Sequence, residues 1–171
     1  MTVVVDSGPF IHLAIVGQFL LLKQYFRKLL IITQVYDEVV VQGQGRPGDP
    51  ELRQAVRDGW VGVDPVTDPA LVQRLTAPNI SETDAAVVAY ALEKRASLVL
   101  ADDSDVRELA GREGLSIMGS VGILTQACLE GVFRELKPLL DQLIAAGFHL
   151  DPNGRVYQTA LKRVGEFFCL S

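Results

Sequence analysis

Five short apolar segments recur along the chain, and each predicts a β-strand. The first, residues 3–5, is a run of valines without polar alternation, a pattern that suits a parallel strand covered on both faces. The other segments are residues 30–32, 61–63, 98–100 and 116–118. Because parallel sheets bind ligands beyond the carboxyl ends of their strands, the residues that follow these segments are candidates for a functional site.

Segments with apolar residues at helical spacing lie between the predicted strands. Pro9 suits the first turn of a helix after Asp6, and residues 81–94 carry an apolar face. Thr33 is expected to cap a short helix that carries Glu38. The residues numbered 43–50 are rich in glycine and proline and predict a flexible loop. Further helices are expected at residues 51–58, 104–113, 122–129, 136–146 and 156–164.

The alternation of strands and helices indicates the fold class. It predicts right-handed βαβ units in a three-layer α/β/α sandwich, with a central, mainly parallel five-stranded sheet and additional C-terminal helices. At 171 residues the chain is long enough for one domain with a sizeable core. We expect residues 1–130 to form that core and residues 131–171 to form a helical extension packed on the same domain.

Composition is that of an ordered globular protein, with 49% hydrophobic and 22% charged residues. No apolar run approaches the roughly 18 residues of a membrane span. The start of the chain lacks the features of a signal peptide, so we expect a cytoplasmic protein without membrane contact. Cys128 and Cys169 form no paired motif, and both thiols are expected to be reduced.

The net charge of −5 argues against a wide basic surface for nucleic acid. It does not exclude a nuclease, because carboxylates concentrated in one metal site would leave a more basic surface elsewhere. The basic residues available for phosphate contacts include Arg27, Lys28, Lys94, Arg95, Arg107 and Arg112.

Acidic residues recur where predicted strands and helices meet. Asp6 follows the first strand, Glu38 lies on the helix after the second, and Asp84 begins the helix before the fourth. Asp102 and Asp103 follow the fourth strand directly. If the first and fourth strands are neighbours, these carboxylates converge at one edge of the sheet.

Each acid also has a structural interpretation. Asp6 can cap the first helix, Asp84 can complete a capping box with Ser81, and Glu38 can be a solvated surface residue. One aspartate is needed as a cap after the fourth strand, but residues 102–105 contain three. Like charges this close destabilise a fold unless a cation or a helix dipole offsets them.

Taken together, the acids favour a metal site. Hard oxygen ligands without a His-Cys cluster select Mg²⁺ or Mn²⁺ rather than zinc, and such a site suits phosphodiester hydrolysis. We interpret His12, between two apolar residues, as a packed or edge histidine rather than a catalytic one. Residues 119–122 can form a phosphate-binding nest, although a turn into the next helix is the favoured interpretation.

Four motifs, in order and spacing, resemble those of the PIN-domain ribonucleases. Val4-Val5-Asp6-Ser7 resembles the first acid of the family and the hydroxyl residue after it. The segment 35–39 resembles the second motif, with its acid at Glu38, and residues 84–91 look like the third-acid helix, which begins at Asp84. Residues 100–105 look like the fourth motif, with Asp103 as the closest match and Asp102 as a neighbour.

The match runs from residue 3 to about residue 124, and the tail from residue 136 is similar to a prokaryotic branch of PIN-like proteins. That branch is described as predicted nucleic-acid-binding proteins. Two departures stand out. Ala101 replaces a common Ser, Thr or Asn before the fourth acid, and Ser81 stands where the branch often has Gly. The second departure leaves open whether Glu82 joins the site.

The resemblance implies a PIN-like fold and Mg²⁺- or Mn²⁺-dependent cleavage of RNA. The metal ligands that it implies are Asp6, Glu38, Asp84, Asp102 and Asp103, and all of them except Asp102 are also the catalytic acids. Ser7 is expected to orient Asp6 or to contact the substrate phosphate. Many relatives are toxins neutralised by a small antitoxin, so the expected partners are RNA and such an antitoxin.

The leading hypothesis is therefore a metal-dependent endoribonuclease. The alternative is a non-catalytic PIN-like module that binds RNA or a protein partner and uses the acids only as helix caps. A phosphatase of the haloacid-dehalogenase type also begins with a strand and an aspartate, but Gly8 stands where it needs a second aspartate. Finally, Leu139, Leu140, Leu143 and Ile144 exceed what a small sheet needs to cover, which predicts a homodimer.

Overall fold

In the computed structural model, which describes residues 1–166, a single five-stranded sheet forms the centre. Its strands are β1 Val3–Val5, β2 Leu29–Ile32, β3 Val61–Asp64, β4 Leu98–Leu100 and β5 Ile117–Met118. The order across the sheet is β3-β2-β1-β4-β5, and every neighbouring pair is parallel. All five predicted strands are confirmed, with ends that differ by at most one residue.

Helices cover both faces of this sheet, which confirms the predicted three-layer sandwich. The helices of the described residues are α1 Ser7–Ile15, α2 Leu21–Phe26, α3 Thr33–Tyr36, α4 Asp49–Arg57, α5 Pro69–Leu75, α6 Glu82–Glu93, α7 Ser104–Arg112, α8 Ser120–Leu129, α9 Lys137–Ala145 and α10 Arg155–Arg163. A π-helical segment, Asp37–Gln42, continues directly from α3.

The strand order places a switch point between β1 and β4. From β1 the chain builds β2 and β3 on one side of the sheet, and it then returns to build β4 and β5 on the other. Val5 pairs with Leu100, so β1 and β4 end level with each other. The first and fourth strands are therefore neighbours, as the convergence of the acids requires, and their carboxyl ends form the crevice where open parallel sheets bind ligands.

Two local predictions need correction. Thr33 does not cap α3: it is the first helical residue, Ile32 occupies the N-cap position, and no side chain caps this helix. Helix α5 has no counterpart among the predicted helices. Its sequence does carry a start signal, because the side chain of Asp68 accepts a hydrogen bond from the Leu71 amide at 2.9 Å and Pro69 follows this cap.

Residues 43–48 form the loop that their glycine and proline content predicts. Helix α4 then begins at Asp49, two residues earlier than expected. The carboxylate of Asp49 accepts a hydrogen bond from the Gly45 amide at 2.8 Å, and Glu51 accepts one from the Gly48 amide at 2.9 Å. The loop is thus fastened to the first turn of the helix that follows it.

The C-terminal helices share the hydrophobic core of the sheet. Leu140 and Leu143 of α9 and Tyr157 of α10 are buried in the same apolar cluster as β1. The Tyr157 hydroxyl donates to the Asp141 carboxylate at 2.6 Å, which links α10 to α9. One apolar cluster thus contains residues from both sides of residue 130. The predicted division of the chain at that residue stays a prediction.

The apolar residues of α9 that suggested a homodimer pack against the core of the same chain. Leu139 and Ile144 are partly buried against the core, beside the fully buried Leu140 and Leu143. The homodimer therefore stays a prediction without this argument. Among residues 1–166, no helix combines the length and apolar character needed to cross a membrane. Cys128 is a free thiol whose pKa is raised by burial, and Cys169 lies outside the described residues.

Candidate active site

Asp6 lies at the switch point, directly after β1. Its backbone amide donates to the carbonyl of Leu100 at 2.9 Å, which ties the end of β1 to the end of β4. Only 5% of the surface of Asp6 is exposed to solvent. Although Asp6 occupies the N-cap position of α1, its side chain makes no capping hydrogen bond. Capping, the structural interpretation of this residue, therefore does not account for it.

The electrostatics of Asp6 are unusual for an aspartate. Burial, the largest cause, raises its pKa from 3.8 to about 7, against the lowering effect of the Ser7 amide. The negative charges of Asp84, Glu38 and Asp103 raise it further, in that order. The structure therefore brings Asp84, Glu38 and Asp103 close enough for their charges to act on Asp6, as expected for carboxylates at one edge of a sheet.

The three neighbouring acids come from different elements. Glu38 is exposed on the π-helical segment, and its side chain forms no hydrogen bond within residues 1–166. The charge of Asp37 beside it is not among those that raise the pKa of Asp6. Asp84 forms the predicted capping box, in which its carboxylate accepts from the Ser81 amide at 3.3 Å and its own amide donates to the Ser81 hydroxyl at 3.1 Å.

Asp103 caps α7, because its Oδ1 accepts from the amides of Asp105 at 2.8 Å and Val106 at 3.2 Å. In Asp84 and Asp103, therefore, capping occupies one carboxylate oxygen. The other oxygen of each forms no hydrogen bond in the described part of the chain. The capping and ligand interpretations of these residues are compatible.

Asp102 has a different environment from its neighbour. Its Oδ1 accepts from the Ser120 amide at 2.6 Å, and its Oδ2 accepts from the Ser120 hydroxyl at 2.6 Å and pairs with Nδ1 of His12 at 2.7 Å. Its side chain is 5% exposed. A Cβ at Gly8 would lie 3.2 Å from the Asp102 Cβ, and one at Gly119 would lie 2.9 Å from its Oδ1. Residues 119–122 thus form the turn into α8, which was the favoured prediction, and the Ser120 amide donates to this carboxylate.

Both oxygens of Asp102 are engaged in holding α1, β4 and α8 together. Its predicted role as a metal ligand receives no support from this arrangement, and we leave it out of the ligand set proposed below. Glu82, which the sequence left open, and Asp105, the third acid of residues 102–105, are not among the charges that raise the pKa of Asp6. Glu82 lines a separate cavity beside α5, together with Val66 and Val72.

A cleft of about 330 Å³ opens at Asp6. It is lined by Asp6, Ser7, Gly8, His12, Asp102, Asp103, Ser104, Gly147, Phe148 and His149. Ser7, the predicted substrate contact, is thus on the wall of the cleft. Its hydroxyl forms no hydrogen bond within residues 1–166. Glu38 and Asp84 are not among the residues that line this cleft.

The sequence interpretation missed two contributors to this cleft. His12 lines it while its ring packs against Phe148, with ring centroids 4.3 Å apart. The spacing of Gly8 and His12, four residues apart on one helix, was an available signal that both share the face of α1 next to Asp6. The residues at 147–149 come from the C-terminal part of the chain, and no local pattern indicates their position.

The donor chemistry at Asp6 fits a hard divalent cation, because the three side chains whose charges act on it, Asp84, Glu38 and Asp103, all offer carboxylate oxygens. In residues 1–166, however, no three His, Cys, Asp or Glu side chains are already arranged to hold a metal ion. Metal binding would therefore have to draw these carboxylates together. Their roles as ligands and catalytic groups stay predictions.

The fold and the site together define an open parallel α/β protein with an acidic cleft at its switch point. A family model named DUF3368 and described as a PIN domain matches residues 2–166, and the chain belongs to this family. The predicted PIN-like family and fold are thereby confirmed. Among curated proteins, none is significantly similar to the chain.

A solved structure supports the fold independently. It is a PilT N-terminus domain protein from the hyperthermophilic archaeon Sulfolobus solfataricus P2, which is 17% identical in sequence with a TM-score of 0.52. The match covers 88% of this chain and 98% of the archaeal one. At this identity the similarity concerns the fold alone.

Proposed function

We propose that the protein is a Mg²⁺- or Mn²⁺-dependent endoribonuclease that uses Asp6, Glu38, Asp84 and Asp103 as its metal-binding carboxylates. Membership of a PIN-domain family supports the general class, since these domains are typically nucleases that use divalent metals. The finer assignment to RNA and to these four residues is our proposal.

The carboxylate of Asp6 is the observation that carries this proposal. It is buried, it makes no capping hydrogen bond and no side chain of residues 1–166 donates to it. Burial and three further acids raise its pKa to about 7 despite the opposing effect of the Ser7 amide. An ionised carboxylate in such a place is unfavourable unless a cation compensates it. A divalent cation supplies that charge and would keep Asp6 ionised at neutral pH.

The named residues would then contribute to cleavage in three ways. A divalent ion held here would polarise a phosphoryl oxygen and make an attacking water more acidic. Asp6 and Asp103 stand on the wall of the cleft, where a substrate phosphate would enter. Glu38 and Asp84 add negative charge next to Asp6. The hydroxyl of Ser7 is free to donate to a phosphate oxygen.

The test is cleavage of a panel of structured and single-stranded RNAs in Mn²⁺, Mg²⁺ or EDTA. We expect wild-type cleavage only with a divalent ion and its loss in Asp6→Asn and Glu38→Gln. The matched control is Asp37→Asn, which removes an exposed charge next to Glu38 that is not among those raising the pKa of Asp6. Cleavage that survives Asp6→Asn would overturn the site assignment.

Thermal melting separates the proposal from a non-catalytic module. If the acids hold a metal, Mn²⁺ raises the melting temperature of the wild type and leaves that of Asp6→Asn unchanged. If neither protein cleaves RNA and Mn²⁺ moves neither melting temperature, the module that binds RNA or a protein is the better description.

The toxin role, the small antitoxin and the cytoplasmic location belong to the same proposal and rest on the resemblance and the sequence. Co-purification of the untagged product of a neighbouring small reading frame with the tagged protein would support an antitoxin. Sedimentation at micromolar concentration tests the homodimer.

A further inference from the structure

A second cavity adjoins the acidic cleft. It measures about 560 Å³ and shares four lining residues with the cleft, namely Asp102, Ser104, Phe148 and His149. Its other walls come from α7, from β5 and the start of α8, and from α10. We call it the arginine pocket because Arg107, Arg155 and Arg163 line it. A ligand can therefore extend from the acidic cleft into this pocket.

Positively charged side chains line the arginine pocket, whereas the net charge of the whole chain is negative. The side chains of Arg155 and Arg163 are exposed, and neither guanidinium forms an ion pair or a hydrogen bond within residues 1–166. Arg107 donates to the carbonyl of Ala101 at 3.0 Å, which holds it at the border with the cleft. Among the described lining residues the one carboxylate is Asp102, whose oxygens are already bonded. The pocket is thus a cationic site in a protein of net charge −5.

Helix α10 presents its cations as a stripe. Arg155, Thr159 and Arg163 are spaced four residues apart, so they lie on one face of the helix and line the pocket together. The opposite face buries Tyr157 and Leu161 in the core. The Glu166 carboxylate after the helix accepts a hydrogen bond from the Lys137 amide at 2.9 Å. The stripe is therefore carried by a helix that is fixed by its buried face and by the residue after its C-terminal end.

The remaining wall of the pocket is apolar and aromatic. Ile117 and Met118 of β5, Val121 of α8 and Phe148 contribute to it, and Val156 is 60% exposed there. Guanidinium groups next to an aromatic and aliphatic surface match the two parts of a nucleotide, its phosphate and its base. A simple inorganic anion would use the arginines but not this wall.

We propose that the arginine pocket binds the nucleotide next to the scissile phosphate of a single-stranded RNA. Arg155 and Arg163 contact its phosphates, and its base packs on the wall around Phe148 and Val156. The proposal rests on the nuclease function inferred above, and it explains how a chain of acidic composition can hold a polyanion beside an acidic centre: the C-terminal helix supplies the positive charge.

The test compares two double variants with the same change in net charge. Arg155→Gln/Arg163→Gln removes the stripe, and Arg46→Gln/Arg134→Gln removes two exposed arginines that line none of the described cavities. The affinity of each for a fluorescent single-stranded RNA is measured in EDTA, so that the readout does not depend on cleavage. Circular dichroism melting verifies that both variants fold.

We expect the stripe variant to bind RNA about tenfold more weakly than the wild type and the control to bind within a factor of about two. Two lost phosphate contacts should also make the slope of log K against log salt concentration shallower by about 1.4, since each contact to a single strand contributes roughly 0.7. Thr159→Lys adds a cation to the stripe and should tighten binding.

Equal affinities of the two double variants would overturn the proposal, and so would binding of an acidic peptide such as polyglutamate in preference to RNA. Failure of the nuclease assignment gives a different result. In that case the wild type does not cleave RNA, or Asp6→Asn cleaves it as well as the wild type does. The stripe variant nevertheless binds RNA more weakly than the wild type. If cleavage depends on Asp6 but both double variants bind RNA alike, only the arginine pocket is wrong.

Discussion

Nδ1 of His12 lies 2.7 Å from Oδ2 of Asp102, a residue ninety positions away in the sequence. The contact joins α1 to the loop after β4, at the back of the cleft that contains Asp6. Ser120 donates to the same carboxylate through both its amide and its hydroxyl. Asp102 is therefore the junction of three elements that meet at the switch point.

This arrangement predicts that Asp102→Ala is a stability variant. The substitution leaves the buried Ser120 amide, the Ser120 hydroxyl and the His12 ring nitrogen without their acceptor. We expect the free energy of unfolding to fall by about 3 kcal/mol, because an unsatisfied buried donor costs roughly 1–3 kcal/mol. Urea unfolding measures the change.

The control is Asp105→Ala, in the first turn of α7. That side chain only complements the helix dipole, so its loss should cost less than about 1 kcal/mol. Asp102→Ala should also keep the Mn²⁺-dependent rise in melting temperature. A variant that unfolds at the wild-type urea concentration but no longer responds to Mn²⁺ would show instead that Asp102 is a ligand.

The neighbouring glycine gives a steric prediction. A Cβ at Gly119 would lie 2.9 Å from Oδ1 of Asp102 and 3.0 Å from a guanidinium nitrogen of Arg107, and neither atom is free to move away, since both are hydrogen-bonded. We expect Gly119→Ala to lower the free energy of unfolding by about 1–3 kcal/mol, as overpacking does. Thermal melting monitored by circular dichroism measures the loss.

Gly111 provides the matched comparison, because it lies inside α7 and a Cβ there would have its nearest neighbour, in Ile117, at 3.7 Å. Gly111→Ala should stabilise the protein by about 0.5–1 kcal/mol through helix propensity. Two alanine variants of equal stability would mean that the space around Asp102 is less restricted than the structure indicates.

The C-terminal helices give a third prediction, which concerns cooperativity. Leu143 of α9 is fully buried in the cluster that contains the sheet. Leu143→Ala should lower the free energy of unfolding by about 2–5 kcal/mol and keep a single unfolding transition. Leu20→Ala, at a side chain that is 70% exposed, should change it by less than about 0.5 kcal/mol. A separate early transition in Leu143→Ala would support two units divided near residue 130.

The sequence was sufficient for the strands because their signal is local. Uninterrupted apolar runs such as residues 3–5 and 98–100 need no tertiary information to be assigned to a buried parallel sheet. The convergence of the acids depended on β1 and β4 being neighbours, a condition that the sequence left open and that the sheet of the structure meets. Helix α5 was missed although Asp68-Pro69 is a start signal, because only a short apolar pattern follows it.

The candidate site was predictable only in part. Asp6, Asp84 and Asp103 lie at the ends of strands and helices, and the hydrophobic pattern of the sequence locates such ends. Which aspartate of the pair after β4 faces inward depends on Ser120 and His12, and these residues are distant in sequence. The same holds for Phe148 and the stripe on α10, whose position depends on how the C-terminal helices pack against α1 and α8.

The last prediction follows from the raised pKa of Asp6. In the unfolded chain this carboxyl ionises near 3.8, whereas in the folded protein without metal it keeps its proton until about pH 7. Between these values the unfolded state binds fewer protons than the folded state, so the free energy of unfolding falls as the pH rises. The difference of about 3 pKa units corresponds to roughly 4 kcal/mol. In EDTA, Asp6→Asn should therefore gain about that much stability over the wild type between pH 4 and pH 7.

Urea unfolding across this pH range measures the effect, with Asp37→Asn as a control whose curve should run parallel to that of the wild type. Mn²⁺ at pH 7.5 should then reverse the order, because the cation compensates the ionised Asp6 in the wild type and has no equivalent partner in Asp6→Asn. Stability curves of wild type and Asp6→Asn that run parallel from pH 4 to pH 7 would show that Asp6 ionises normally. The buried, uncompensated carboxylate would then no longer be a reason to expect a metal at this site.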